Sequence, residues 1–284
     1  MKPVTEADYQ QRIERVTRVI AAHPDRTHSL GELARIAHFS PFHFHRVYRA
    51  MVGESVIDTG RRFRVERAAH LLATSDSPVT EIAMEVGYDS VQTFSRAFRR
   101  VTSVSPRDFR DRKIRFADLV DGPQPRRRSR GAFEVRVVTL PVQTAWACLH
   151  RGPLTAVKDA YSRLWSWQLQ CGIAGKTKEA IGICYGDEQG DDGAFRYYAG
   201  VIWEQPVEGG AGVERIKVPG GEYASYRLVG SHHGIPGAFE RLYAEWLPSS
   251  GYLPDNRPAL EIYRNNPFDT PANELITDLL LPVK

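Results

Sequence analysis

Glu81-Ile82-Ala83-Met84-Glu85-Val86-Gly87-Tyr88-Asp89-Ser90-Val91-Gln92-Thr93-Phe94-Ser95-Arg96-Ala97-Phe98-Arg99 is the second copy of a pattern already used near the start of the chain. Glu32-Leu33-Ala34-x-x-Ala37-x-Phe39 precedes its counterpart by 49 positions, and Phe44-x-Arg46-x-Tyr48-Arg49 precedes Phe94-x-Arg96-x-Phe98-Arg99 by 50. Ser55 and Ser105 share the offset of 50. The one-residue slip falls between two helical patterns, where a turn absorbs it. Each copy reads as short helix, tight turn and second helix, with arginine on the second helix. That is the helix-turn-helix layout, whose second helix enters the major groove. Two copies predict one chain reading two successive groove faces.

Working outward, residues 5–22 form a helical pattern with Tyr9, Ile13, Val16 and Ile20 on one face. Ser29-x-x-Glu32 is a capping box, and Ser40-Pro41 sets an N-cap and an N1 proline before a helix running to about Met51. Residues 56–73 form a longer basic helix that joins the copies. At ~1.5 Å per residue it spans about 27 Å, against roughly 34 Å between successive major-groove faces. Ser77-Pro78 opens the second copy, and Ser90 caps its second helix.

The two halves of the 284-residue chain differ in charge: residues 1–130 carry net +8 and residues 131–284 net −4. The basic half suits a polyanion and the acidic half does not. An apolar share of 42% supports real cores. Cys148, Cys171 and Cys184 are scattered and form no C-x-x-C, so neither a disulfide framework nor a zinc site is expected. Glu6 and Asp8 make the first residues unlike a secretory leader, and no apolar run reaches ~18 residues. The expectation is a cytoplasmic chain with no membrane partner, no cofactor, no metal and no catalytic set. Residues 116–132 read as a Pro/Arg-rich linker ending in Arg126-Arg127-Arg128-Ser129-Arg130, a solvated tether or a phosphate-contacting arm.

The second half repeats at an offset of 78 to 79: Pro141 with Pro219, Gly152 with Gly230, Ala160-Tyr161 with Ala238-Phe239, and Ile181-x-Ile183 with Leu260-x-Ile262. Strands are expected over 135–138, 180–185, 195–203, 223–229, 259–263 and 275–281, and helices over 158–170 and 238–247. The fold class is therefore multidomain: an all-α N-terminal domain with two helix-turn-helix units (1–115), the linker (116–132), and an α+β C-terminal domain (133–284) of two pseudo-symmetric ββαββ-like repeats.

Phe42, His45, Arg46 and Arg49 on the first reading helix, and Gln92, Thr93, Ser95, Arg96 and Arg99 on the second, are the expected DNA-facing residues. Arginine pairs bidentately with guanine and glutamine with adenine. Arg61, Arg62, Arg64, Arg67, Arg100 and Arg107 are assigned to phosphates, which position without specifying. One such arginine would be ordinary solvated surface; the duplicated pattern argues otherwise. His43 and His45 diverge on a helix, which suits packing for His43 and contact for His45 better than a metal. The run Gly87-Tyr88-Asp89-Ser90-x-x-x-Phe94-x-Arg96-x-Phe98-Arg99, followed by Ser105-Pro106-x-x-Phe109-Arg110, resembles the hallmark of the AraC family of transcription regulators. Ser103 stands where that family usually has Gly, and Val56 where the first copy often has Pro. The resemblance implies double-stranded DNA and RNA polymerase as partners.

In Ala259-Leu260-Glu261-Ile262-Tyr263, alternation sends Leu260 and Ile262 to one face and Glu261 and Tyr263 to the other. A carboxylate amid apolar residues is either exposed or held for a cation, and Trp165, Trp203, Tyr198 and Tyr263 are candidate aromatic walls. The alternative is an exposed Glu and aromatics that fill the core. Phe195-Arg196-Tyr197-Tyr198-Ala199-Gly200-Val201, Pro219-Gly220-Gly221-Glu222-Tyr223-Ala224 and Pro258-Ala259-Leu260-Glu261-Ile262-Tyr263 resemble GyrI-like ligand-binding domains. That resemblance implies a pocket with Glu261 at its base, facing an amphipathic, often cationic effector. Tyr198 replaces a common Asp, and Ser231-His232-His233 a common Gly-Pro-Tyr. His232-His233 is expected to be a loop feature. The readings to be compared are an effector-responsive regulator, a hydrolase of electrophiles using Glu261 as base, and a sequestration module.

Overall fold

The computed structural model describes residues 4–120, 122–123, 133–153, 156–177, 179–185, 196–205, 207–210 and 212–284, the side chain of Phe42 excepted. The arginine run at 126–130 and Phe195, both named above, lie outside the described residues. The chain divides into two compact units, Ala7–Arg127 and Arg128–Lys284, the latter joined by Met1–Glu6. Val4 donates its N–H to the Gly251 carbonyl at 3.2 Å within that later unit.

The first unit is helical: α1 (Glu6–Ala22), α2 (Leu30–Ile36), α3 (Pro41–Val52), α4 (Val56–Thr74), α5 (Val79–Glu85), α6 (Val91–Thr102) and α7 (Pro106–Asp111). α1 buries Tyr9, Ile13, Val16 and Ile20, the stripe its 3.6-residue period dictates. The duplication extends to the helix starts. Ser40 accepts from the His43 N–H and Ser90 from the Thr93 N–H. Ser55 accepts from the Asp58 N–H and Ser105 from the Asp108 N–H. Each serine satisfies an N–H that the helix leaves unpaired. α5 departs from expectation: its N-cap is Pro78 and carries no side-chain hydrogen bond.

The turns repeat as well. His38 and Gly87 end the first helix of each unit at φ 54° and 81°, and Gly53 and Ser103 end the second at 91° and 63°. Gly87 has a further constraint, since a Cβ there would run into the Asp25 carbonyl. Ser103, in place of glycine, holds the left-handed conformation at a cost of about 1 kcal/mol.

The second unit comprises β1 (Val135–Leu140), β2 (Gln143–Arg151), α8 (Val157–Gln170), β3 (Ala180–Tyr185), β4 (Arg196–Ile202), β5 (Val213–Val218), β6 (Gly221–Val229), α9 (Ile235–Arg241), β7 (Ala259–Tyr263) and β8 (Ile276–Pro282). α9 was expected over 238–247; it continues beyond Arg241 as a π turn over Leu242–Trp246. The strands form one sheet in the order β1-β6-β8-β7-β3-β4-β2-β5, and each pairing is antiparallel.

This order forces the sheet to bend. β1 lies at one edge and β2 beside the other, yet only Pro141-Val142 joins them. β5 and β6 are joined across the same gap by Pro219-Gly220. Leu140 to Gln143 reaches roughly 11 Å at most, so the edges must approach. The two turns meet: a Cβ on Gly220 would lie 2.6 Å from the Val142 nitrogen and 2.7 Å from the Leu140 oxygen. The concave face closes on a core of Ile181, Ile183, Leu260, Ile262, Leu280 and Tyr223. On the convex face α8 packs on β2 and β4, and α9 on β6 and β8. The central strands β3 and β7 lie between the two helices.

One ion-pair system spans β6, β7 and β8. Arg227 grips Asp278 through two bonds of 2.7 and 2.9 Å, and Arg264 adds a third of 2.7 Å. Burial pushes the Asp278 carboxyl up, but the hydrogen bonds from Arg227 and Arg264 outweigh it and hold it below the usual range. A carboxyl depressed on folding stabilises above its unfolded pKa, and that stability is lost as pH falls through the folded value. Asp278→Asn is therefore expected to cost roughly 1–3 kcal/mol at pH 7 and to flatten the fall in stability below about pH 4. Urea titrations at pH 7 and pH 3 check this; an equal loss at both would contradict it.

Candidate functional site

Two candidate sites emerge, one in each unit. In the second, the β7 alternation puts Glu261 and Tyr263 on the convex face. The register pairs Glu261 with Gly182 of β3, and Cys184 of β3 with Tyr197 of β4, so these share that face. Glu261 is 5% exposed. Its Oε2 accepts from the Tyr197 hydroxyl at 2.8 Å and the Tyr263 hydroxyl at 2.5 Å. Cys184 lies 3.6 Å from Oε1. From α8, the Tyr161 hydroxyl stands 2.9 Å from that of Tyr197. Tyr197 gives its proton to Glu261, so Tyr161 donates to Tyr197, and the chain of donors ends on the carboxylate.

The electrostatics agree. Burial, then the charge of Glu261, raises Tyr161, Tyr197 and Tyr263 above the ordinary phenol value. They remain protonated donors. Gly182 makes the arrangement possible, because a Cβ there would overlap the Tyr197 hydroxyl and sit 2.9 Å from Glu261 Oε2.

Around this centre, the His232 ring stands edge-on to Tyr263, with centroids 5.0 Å apart. Burial, then His233, lowers the His232 pKa. Trp165 lies one turn beyond Tyr161 on α8; its ring is 6.4 Å from that of Phe268, and both are exposed. Tyr198 is corrected: alternation in β4 turns it to the concave face, edge-on to Tyr185 at 6.0 Å. Trp203 is half-buried past the end of β4, and its indole N–H is buried without an acceptor among the described residues. His232 and His233 form a short 3₁₀ turn before α9. Among the described residues, no group of three His, Cys, Asp or Glu is placed to hold a metal ion.

In the first unit, α6 packs Phe94 and Phe98 inward and leaves Gln92, Thr93, Arg96, Arg99 and Arg100 exposed, with Ser95 half-buried. On α3, Arg46 and Arg49 are half-buried. His43 is buried as expected, but His45 is also buried, at 1% exposure, and in this structure has no open surface to offer a base edge.

The arginines assigned to phosphates separate into two kinds. Arg62 is 17% exposed and donates twice to Glu54, and Arg64 bonds the carbonyls of Pro24 at 2.6 Å and Arg26 at 3.2 Å. These two are taken up by the fold itself. Arg61 pairs with Asp58, Arg67 with Glu85 at 3.4 Å, and Arg107 with Asp111 at 3.7 Å.

Comparison with known proteins places both units. The GyrI-like small molecule binding domain matches residues 133–284, and a helix-turn-helix domain matches residues 33–112. Regulatory protein SoxS of Salmonella typhimurium is 34% identical over 104 residues, which cover 37% of this chain and 97% of SoxS. The chain belongs to the AraC-type helix-turn-helix regulators with a GyrI-like small-molecule-binding domain. The MmsAB operon regulatory protein of Pseudomonas aeruginosa is 39% identical over 88 residues, 30% of this chain and 29% of that protein. Among solved structures, the C-terminal domain of AraT, a response regulator from Geobacillus stearothermophilus, is 32% identical, covering 36% of this chain and 84% of that one at a TM-score of 0.34. The EcmrR C-terminal domain is 13% identical, covering 54% and 98%, at a TM-score of 0.43. No described helix of the regulator is long and apolar enough to cross a membrane.

The sequence points to Glu261, Tyr263 and Trp165 but not to Tyr161, Tyr197, Cys184 or Gly182, which stand around the carboxyl group. Tyr197 was within reach, since it alternates with Tyr198 and pairs with Cys184. Tyr161 was not, because its place depends on how α8 lies across the sheet. Gly182→Ala in the regulator is expected to break the Tyr197–Glu261 bond and cost about 1–3 kcal/mol. Chemical denaturation measures it, and unchanged stability would contradict the packing described.

Proposed function

We propose that the regulator senses a small amphipathic cation with Glu261, and that occupancy of this site changes its binding to DNA or its contact with RNA polymerase. The observation that carries the reading is a carboxyl group, 5% exposed, that accepts hydrogen bonds from two tyrosine hydroxyls in the strip of sheet between two helices. A charge there is costly unless hydrogen-bonded or paired. The tyrosine hydroxyls satisfy it, and a cation over the same rings would add Coulomb and cation–π attraction. In this reading Tyr161, Tyr197, Tyr263 and Trp165 wall the site and Tyr198 does not. We read the sensor as residues 133–284, the DNA reader as 1–115, and 116–132 as the linker. Exchanging β1–β4 for β5–β8 returns the same strand order, which supports two ββαββ-like repeats with the site at their seam.

In the reader, Gln92, Thr93, Ser95, Arg96 and Arg99 are the base-facing set of α6, and Arg46 and Arg49 that of α3. Arg100 and Arg107 are the strongest phosphate candidates because both are highly exposed. The family position implies a transcription activator, with RNA polymerase as the second macromolecular partner.

Titration of intrinsic tryptophan fluorescence with a lipophilic cation tests the sensor. Saturable quenching is expected, weakened at least about tenfold in Glu261→Gln, or ~1.4 kcal/mol. Equal affinity in the two proteins would remove the cation reading. Consumption of an electrophile by the native chain, lost in Glu261→Gln, would replace sensing with hydrolysis.

A further inference from the structure

The two reading units share a backbone pattern and most of a core, with Leu33, Ala34, Phe39 and Phe44 matched by Ile82, Ala83, Tyr88 and Phe94, but they differ at three matched positions. At the offset of 50, Tyr48 corresponds to Phe98, Glu54 to Val104 and Thr59 to Phe109. In the second unit these positions are apolar: Phe98 and Phe109 meet edge-on at 5.4 Å, and Val104 packs against the same cluster. In the first unit they form a directed polar chain. The Tyr48 hydroxyl, fully buried, donates to Thr59 Oγ1 at 3.1 Å and lies 3.2 Å from Thr17 Oγ1 of α1. Thr59 Oγ1 lies 2.8 Å from Glu54 Oε1 as donor. The same Oε1 takes Arg62 Nε at 3.1 Å and Nη2 at 3.0 Å. The chain thus ties α1, α3, the α3–α4 corner and α4 together.

Apolar contacts tolerate small rotations, whereas hydrogen bonds weaken steeply with angle. A buried polar chain is costly if half-satisfied and fixes one arrangement when complete. We propose that Tyr48, Thr59, Glu54 and Arg62 are positioning residues that set the angle of the first reading helix, α3, on the spacer helix α4, and so control base discrimination by the first unit alone. This rests on the reading of α3 and α6 as the two DNA-facing helices. The second unit, set by its aromatic core, does not depend on the chain. Arg62 acts in it as a structural cation, not a phosphate contact.

Tyr48→Phe is the informative variant, since phenylalanine already fills the matching place in the second unit. The full-length protein is first used to select its preferred duplex from a random library. Arg46→Ala and Arg96→Ala then assign the two half-sites to α3 and α6. Tyr48→Phe is expected to lower discrimination between the preferred and single-base-changed α3 half-site by about tenfold, while leaving the α6 half-site within twofold. Glu54→Gln keeps the buried rings in place and carries the same expectation if Tyr48→Phe folds poorly. Retention of full α3 discrimination by both variants, or an equal loss at both half-sites, would overturn the proposal. Failure of the native protein to select any duplex would overturn the underlying DNA reading instead, and the proposal with it.

Discussion

A carboxylate taken out of water must be given hydrogen bonds, and Glu261 dictates much of the second unit through that need. Its partners are phenols on β4 and β7, with a third on α8 donating behind them. For Tyr197 to reach it, β3 must carry glycine at 182. For Tyr161 to reach the Tyr197 hydroxyl, α8 must cross β2 and β4 at one height. On the convex face α8 packs on β2 and β4 and α9 on β6 and β8, and the central strands β3 and β7 lie between them. The bend of the sheet is set on the opposite face by two crossing two-residue turns, and it keeps the apolar core separate from the polar strip.

The same economy governs the first unit. Ser40, Ser55, Ser90 and Ser105 cap the starts of α3, α4, α6 and α7, left-handed residues follow α2, α3, α5 and α6, and α3 and α6 each bury aromatic residues. Duplication fixes the scaffold, but the cores have diverged. At positions 98, 104 and 109 one unit uses apolar packing, and at the matching 48, 54 and 59 the other uses hydrogen bonds. A duplicated fold therefore does not imply duplicated energetics, and the two helices need not read DNA with equal tolerance.

Much of this was legible from residues alone. The stripe on α1, the caps at Ser29, Ser40 and Ser90, and the limits of β3 and β7 follow from local periodicity and capping chemistry, which are decided within a few residues. Strands β2 and β5 lack a clear local pattern, because their burial is set by distant partners. The π turn after Arg241 has no local signature. Glu261 was visible as a polar residue in an apolar strand. Tyr198 was chosen over Tyr197 although alternation within 196–202 separates them by face. The burial of His45, and the capture of Arg62 and Arg64 by Glu54 and by loop carbonyls, depend on tertiary packing that helical spacing does not encode.

We propose that occupancy of the Glu261 site and binding to DNA are linked. A ligand shifts such a balance only by binding one state better than the other, and the linkage is reciprocal. The most direct measurement is the affinity of the full-length chain for its selected duplex without and with a saturating lipophilic cation, together with the affinity for that cation without and with the duplex. The account predicts equal fold-changes in the two affinities, of roughly fivefold or more, both abolished by Glu261→Gln. Unchanged affinities, with the cation bound and transcription from the duplex unaltered, would contradict it.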